Sequence, residues 1–361
     1  MKGAFRIAVF AGIPLMIHWS FGLILLWILY MGISFSAGWV GMAWMGLLVV
    51  LLFTCVVLHE YGHAIAARRF NVDTLDIILF PMGGVARLTR LPDEPMQEFK
   101  IALAGPLVNV VLSLFLGVWL FLDQGRIPWI EEIDMRELTD FFLPGLFWMN
   151  VFLVLFNLLP AFPMDGGRML RSLLATRLGR LRATQIAAII GQVIAVLLFV
   201  YSLFDRHLIL SLISIFVFLT ARHESRMVWM DHILATSPVS QIMRTEFSRF
   251  PLSDPINRLL EVFEQEKERS FLVFDELNKV VGVLHEAFVL EAIKKEDTNA
   301  PLMSYLSSNY EPLEPADNLK VVLQKMQQHG YSILPVYEEN SLVGVVDVRS
   351  MNAFIREKRS T

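Results

Sequence analysis

Apolar runs of bilayer length constrain this chain more than any other feature. About 20 apolar residues in a helix cross the hydrocarbon core of a membrane. Runs of that kind lie at roughly 14–33, 39–66, 99–122, 141–160, 183–204 and 207–222. Composition agrees: 55% of the 361 residues are hydrophobic and 18% are charged, with a mean hydropathy of +0.53. Soluble domains carry about 25% charged residues. The expected fold is a polytopic α-helical membrane protein with about six transmembrane helices. Lys2 and Arg6 precede the first run as in a signal peptide, but the run is too long and has no clear small-x-small cleavage site. We read it as a retained first span.

Charge divides the chain. Residues 1–222 carry 16 Lys+Arg against 14 Asp+Glu, and the remainder carries 15 against 21. Arg68, Arg69, Arg87, Arg90 and Lys100 lie between the second and third runs, and Arg168, Arg171, Arg177, Arg180 and Arg182 between the fourth and fifth. The 123–140 loop holds six acidic residues and two arginines. Positive-inside bias then places both termini and the basic loops in the cytosol, across the cell's cytoplasmic membrane. The acidic second half has no basic face for nucleic acid.

Between the second and third runs, "NVDTLDIILFPMGGVARLTRL" has apolar and β-branched residues around Pro81, Gly83 and Gly84, as a hairpin does. Strands cannot face lipid with bare edges, so a membrane-associated β-hairpin packed on protein is expected; a plain cytoplasmic loop is the alternative. Beyond residue 236 two similar blocks of about 60 residues follow each other, an internal repeat. The organisation read from this is a membrane domain at 1–222, a helical linker at 223–236, and repeats at 237–297 and 298–361.

Inside the second run stands His59-Glu60-Tyr61-Gly62-His63. Histidines at i and i+4 share one helix face and can hold zinc, with the glutamate acting on a bound water. The plainer reading is two buried histidines satisfied by hydrogen bonds, which membrane burial makes costly. Catalytic zinc takes a third protein ligand and keeps one position open. Asp165, in "FNLLPAFPMDGGRML" where the fourth run breaks, can supply it, or can instead cap the helix that begins near Arg168. Cys55, the only cysteine, shares the His59 face and reads as packing; His18 reads as an interfacial hydrogen-bonding group.

These motifs resemble the site-2 proteases, zinc metalloproteases that cut substrate helices within the membrane. The likeness covers residues 1–222 and rests on HEYGH together with Asn157-Leu-Leu-Pro160-Ala-Phe-Pro163-Met-Asp165-Gly166, which meets N-x-x-P-x-x-P-x-D-G throughout. The resemblance implies that His59, His63 and Asp165 bind zinc, that Glu60 is the acid/base, and that Asn157 holds substrate or the developing oxyanion. "AGPLVN" at Ala104–Asn109 is similar to the family's third-span segment, making Asn109 a second substrate-binding candidate beside a helix-packing role. "PMGGV" is similar to the family's β-loop beside the active site.

The second half resembles a tandem pair of CBS domains, soluble α/β modules that often bind adenine nucleotides. The family's G-[IV]-[VI]-T-x-x-D pattern corresponds here to Gly282–Phe288 and Gly344–Ser350, and neither run keeps both the threonine and the aspartate. Nucleotide binding, homodimerisation or scaffolding, and sensing of another ligand all stay open for it. The function expected is regulated intramembrane proteolysis of a protein with a transmembrane helix. Two other readings remain: a CBS-regulated transport protein using the histidines as an ion site, and a catalytically inactive helix-binding relative.

Overall fold

The computed structural model describes residues 3–34, 38–90, 92, 94–129, 138–265, 268–294, 301–307 and 310–360. Residues 130–137, the middle of the acidic loop, and 295–300, at the expected repeat boundary, lie outside them. The chain forms two units, Met1–Arg226 and Met227–Thr361.

The first unit opens with β1 (Ala4–Phe10) and β2 (Ile13–His18), then α1 (Gly22–Ser34) and α2 (Gly38–Arg68). The hairpin β3 (Thr74–Phe80) and β4 (Gly83–Leu88) follows, then α3 (Pro95–Gln124), α4 (Leu138–Asn157), α5 (Asp165–Leu178), α6 (Arg180–Phe204) and α7 (Leu208–Thr236). Among the described residues, α2, α3, α6 and α7 are long and apolar enough to cross a membrane, and Trp19–Ser34 and Phe142–Asn157 are shorter apolar helices. Exposed Leu25, Phe115, Trp119, Leu122 and Leu197 give these helices apolar outer faces, as lipid-facing surfaces require.

The start of the first run differs from expectation. Residues Ile13–His18 are not helical but form β2, paired antiparallel with β1. The cause is local: Ala11 and Gly12 both have positive φ, 50° and 79°, the geometry of a tight hairpin turn whose twist matches its strands. The β3–β4 hairpin forms within the segment read as a hairpin, and β2 pairs with β3 in parallel, giving a four-stranded sheet in the order β1-β2-β3-β4. Asp76 stands opposite Arg87 across β3 and β4 and pairs with it, a favourable cross-strand couple. One face of the sheet (Ile13, Leu15, Ile77, Leu79) packs on Tyr61 and Ala64 of α2. The Tyr61 hydroxyl also donates to the carbonyls of Ile13 at 3.2 Å and Phe10 at 3.3 Å. The sheet is thereby held against the helix that carries HEYGH.

Small residues set the helix spacing. A Cβ on Gly62 would lie 2.8 Å from the Ala104 carbonyl oxygen of α3, so only glycine permits this backbone approach. Farther along, Arg171 of α5 is buried and bonds Glu98 of α3 and Glu224 of α7, while Arg180 of α6 reaches Glu98 at 3.1 Å. Four helices are tied at one buried charge cluster, which is tolerable because each charge is matched.

In the second unit, β5 (Arg249–Pro251), β6 (Phe271–Phe274) and β7 (Val280–Leu284) form one sheet, with α8 (Ile256–Glu264) and α9 (Glu286–Lys294). After α10 (Leu319–His329), β8 (Ile333–Glu338) and β9 (Ser341–Asp347) form another, followed by α11 (Val348–Ser360). The repeats exchange their leading segments: Arg244 bridges Val345 of β9, and Ser307 bridges Val283 of β7. A shared core of Leu272, Val283, Ile333 and Val345 joins the two sheets.

Candidate active site

A helix turn brings His59 and His63 to one face of α2, and Asp165 arrives from the first turn of α5. Asp165 Oδ2 lies 3.1 Å from His59 Nε2 and 3.1 Å from His63 Nε2, and the two Nε2 atoms are 3.1 Å apart. All three side chains are buried. Two imidazoles and a carboxylate are zinc donors, and ligands about 2.0–2.1 Å from a tetrahedral zinc stand about 3.3 Å from each other. A triangle of 3.1 Å edges is close to one face of that tetrahedron. Gly105 adds a second fit: a Cβ there would lie 2.3 Å from His63 Nε2 and 2.7 Å from His59 Nε2. Glycine keeps the space beside the ligand atoms open.

Each imidazole is held from behind. His63 Nδ1 donates to the Ile101 carbonyl at 2.7 Å, and His59 Nδ1 bonds Asn109 Oδ1 at 2.5 Å. Such outer contacts orient metal ligands and set their tautomer. Arg168, one helix turn past Asp165, stands 3.6 Å from its other oxygen.

Glu60 is adjacent to His59 in sequence and stands outside the triangle of ligand atoms. Its Oε2 accepts the Ala86 backbone N–H of β4 at 3.0 Å, and a Cβ on Gly84 would come within 2.7 Å of its Cγ. The "GGVA" stretch therefore gives the glutamate both room and a donor. Asn157 ends α4, half-buried, and makes no hydrogen bond to the cluster among the described residues. Asn109 lies against His59, with its amide nitrogen 2.9 Å from Asn150 Oδ1. His18 bonds Ser20, and Cys55 is buried. Sequence reasoning passed over Gly105 and Asn150; the available signal for Asn150 was a carboxamide in the middle of an apolar run.

In the second unit the positions matching the nucleotide pattern are engaged internally. Asp347 pairs with Arg244 at 2.7 Å, and Arg244 also reaches Glu268 at 3.1 Å. His285 Nδ1 lies 2.6 Å from the Ser332 hydroxyl, and burial holds this imidazole's pKa below the usual histidine range.

Fold and cluster together define a class: a polytopic membrane protein whose helices bring a two-histidine, one-aspartate metal-type cluster beside an H-E-x-x-H glutamate. The chain matches peptidase family M50 over residues 47–140 and 130–201, and the CBS domain over 239–295 and 303–357. A zinc metalloprotease of Methanocaldococcus jannaschii is 32% identical over 326 residues, 90% of this chain and 89% of that one. The Mycobacterium tuberculosis protein Rip3 is 27% identical over 375 residues, covering 96% and 91%. A solved site-2 protease from Methanocaldococcus jannaschii is 36% identical, with a TM-score of 0.47 over 62% of this chain and 95% of that one. This chain belongs to peptidase family M50, the site-2 protease family of zinc metalloproteases, and carries a CBS domain pair.

Proposed function

We propose that this protein is an intramembrane endopeptidase in which His59, His63 and Asp165 hold one zinc ion and Glu60 moves the proton. The observation that carries this is the near-equilateral triangle of ligand atoms, held from behind by Ile101 and Asn109. When bound, zinc supplies Lewis acidity to water and to the scissile carbonyl. Glu60 lies outside the ligand triangle, so its carboxylate is free to take a proton and return it to the leaving amine. Asn157 is assigned to substrate by family resemblance. The substrate is a membrane protein, cut at an unwound stretch of a transmembrane helix.

The β4 edge supports a docking mode for that stretch. Ala86 presents its N–H to Glu60. In an antiparallel pair, alternate residues direct their backbone groups outward, so Gly84 and Ala86 face the site. An extended substrate segment adds there as a further strand. Ala86→Pro removes the N–H that Glu60 accepts and that an added strand would share, a substitution edge strands accept. It should retain zinc and lower substrate cleavage on the order of tenfold, the effect of about 1.4 kcal/mol; wild-type cleavage rates would sink the docking mode.

Basic loops beside α2 and α5 support a cytosolic site, with both termini and the CBS pair in the cytosol of a cell whose cytoplasmic membrane holds the first unit. The CBS pair is read as regulatory and as a homodimer contact, with adenine nucleotides the first ligand class to test. The deciding experiment for the function is metal removal. Reconstituted protein should cleave a transmembrane substrate, stop when chelated, and resume when zinc is restored; activity indifferent to chelation overturns the assignment.

A further inference from the structure

We infer that Asn150, on a different helix from every ligand, determines which nitrogen of His59 is free for zinc, acting through Asn109. This rests on the zinc reading above. A neutral imidazole carries one N–H and one lone pair, and its other hydrogen bond decides which nitrogen has which. For His63 the decision is made by backbone: the Ile101 carbonyl only accepts, so Nδ1 keeps the proton and Nε2 presents its lone pair. His59 has no such backbone partner at Nδ1. It faces the Asn109 carboxamide, which by turning over can offer either an acceptor or a donor.

What prevents that turn lies farther back. Asn109 Nδ2 is 2.9 Å from Asn150 Oδ1, and Asn150 Nδ2 is 2.9 Å from the Leu146 carbonyl and 3.4 Å from Cys55 Sγ. The Leu146 carbonyl can only accept, so Asn150 must aim its amide nitrogen there and its oxygen at Asn109. Asn109 must then aim its nitrogen at Asn150 and its oxygen at His59. Nδ1 of His59 donates, and Nε2 is left as the ligand atom facing Asp165 and His63. Both asparagines have 0% exposure, so the whole order of donors and acceptors is set inside the helix bundle. A backbone carbonyl on α4 thus fixes the tautomer of a ligand on α2. Asn150 is a positioning residue, and Cys55 receives its second amide hydrogen.

The test measures zinc affinity of the purified full-length protein by competition with a chromophoric chelator. Wild type, Asn150→Leu, Asn109→Leu and the double variant are compared, with unfolding of each metal-free protein followed alongside. Each single substitution should weaken zinc binding about 10–100-fold, the range for lost outer-shell partners. In the Asn109→Leu background, Asn150→Leu should change it by less than about two-fold, because its path to the metal is already cut. A merely structural loss would lower stability in both backgrounds and add up in the double variant, which would overturn the inference. Unchanged affinity in Asn150→Leu would overturn it too. Wild type that binds no zinc would instead defeat the metal reading, and the relay with it. If Asn150→Leu does not fold, Asn150→Ser, too short to join Leu146 to Asn109, carries the same expectation.

Discussion

Glu60→Gln should leave zinc bound and reduce peptide cleavage about 10²–10⁴-fold, the contribution of a positioned acid/base. The substitution preserves shape, and its carbonyl oxygen still accepts the Ala86 N–H that Glu60 Oε2 takes at 3.0 Å. Its side chain lies outside the triangle formed by His59, His63 and Asp165, so metal content is not at stake. Only basicity is lost. Single-turnover cleavage of a transmembrane substrate, with zinc measured on the same preparation, separates the two effects. Undiminished cleavage would remove Glu60 from the chemistry; loss of zinc would make it a ligand.

The second large effect comes from one methyl group. Gly105→Ala should abolish zinc binding, lowering affinity by more than about 100-fold, beyond what lost outer contacts cause. Its Cβ would lie 2.3 Å from His63 Nε2, 2.4 Å from His63 Cε1 and 2.7 Å from His59 Nε2. Those rings cannot swing away freely, since Ile101 and Asn109 hold them from behind. The helix itself does not suffer: alanine in place of a mid-helix glycine favours α3 by up to about 1 kcal/mol. Overpacking against the held rings, about 1–3 kcal/mol, outweighs that gain, so the metal-free protein should also unfold earlier than wild type. Gly46→Ala is the control, because on α2 its Cβ would meet nothing within 4 Å. Zinc retained by Gly105→Ala would mean the ligand cluster lies elsewhere.

How much of this was legible depended on how local each feature is. The β3–β4 hairpin was marked by Pro81 and the Gly83-Gly84 pair. The β1–β2 hairpin was hidden, because "IPLMIH" reads equally as the head of an apolar helix, and short apolar runs do not reveal their period. Only the positive φ at Ala11 and Gly12 distinguishes them. The repeats were visible as two copies, yet their exchanged pairing, Arg244 with Val345 and Ser307 with Val283, was not. Similar blocks look self-contained in sequence whichever partner they choose.

The amino-acid order by itself determined the donors and their spacing. His59 and His63 share a face because a helix repeats every 3.6 residues, and Asp165 heads a helix because the prolines before it end the last one. Tertiary structure decided what meets them. Asp165 comes from 106 residues away, Asn150 acts through Asn109 of a neighbouring helix, and Glu60 turns to the edge of a sheet assembled from strands before α1 and after α2. Such meetings depend on how closely helices pack, and here Gly62 and Gly105 set that distance; no periodicity within one segment carries that information.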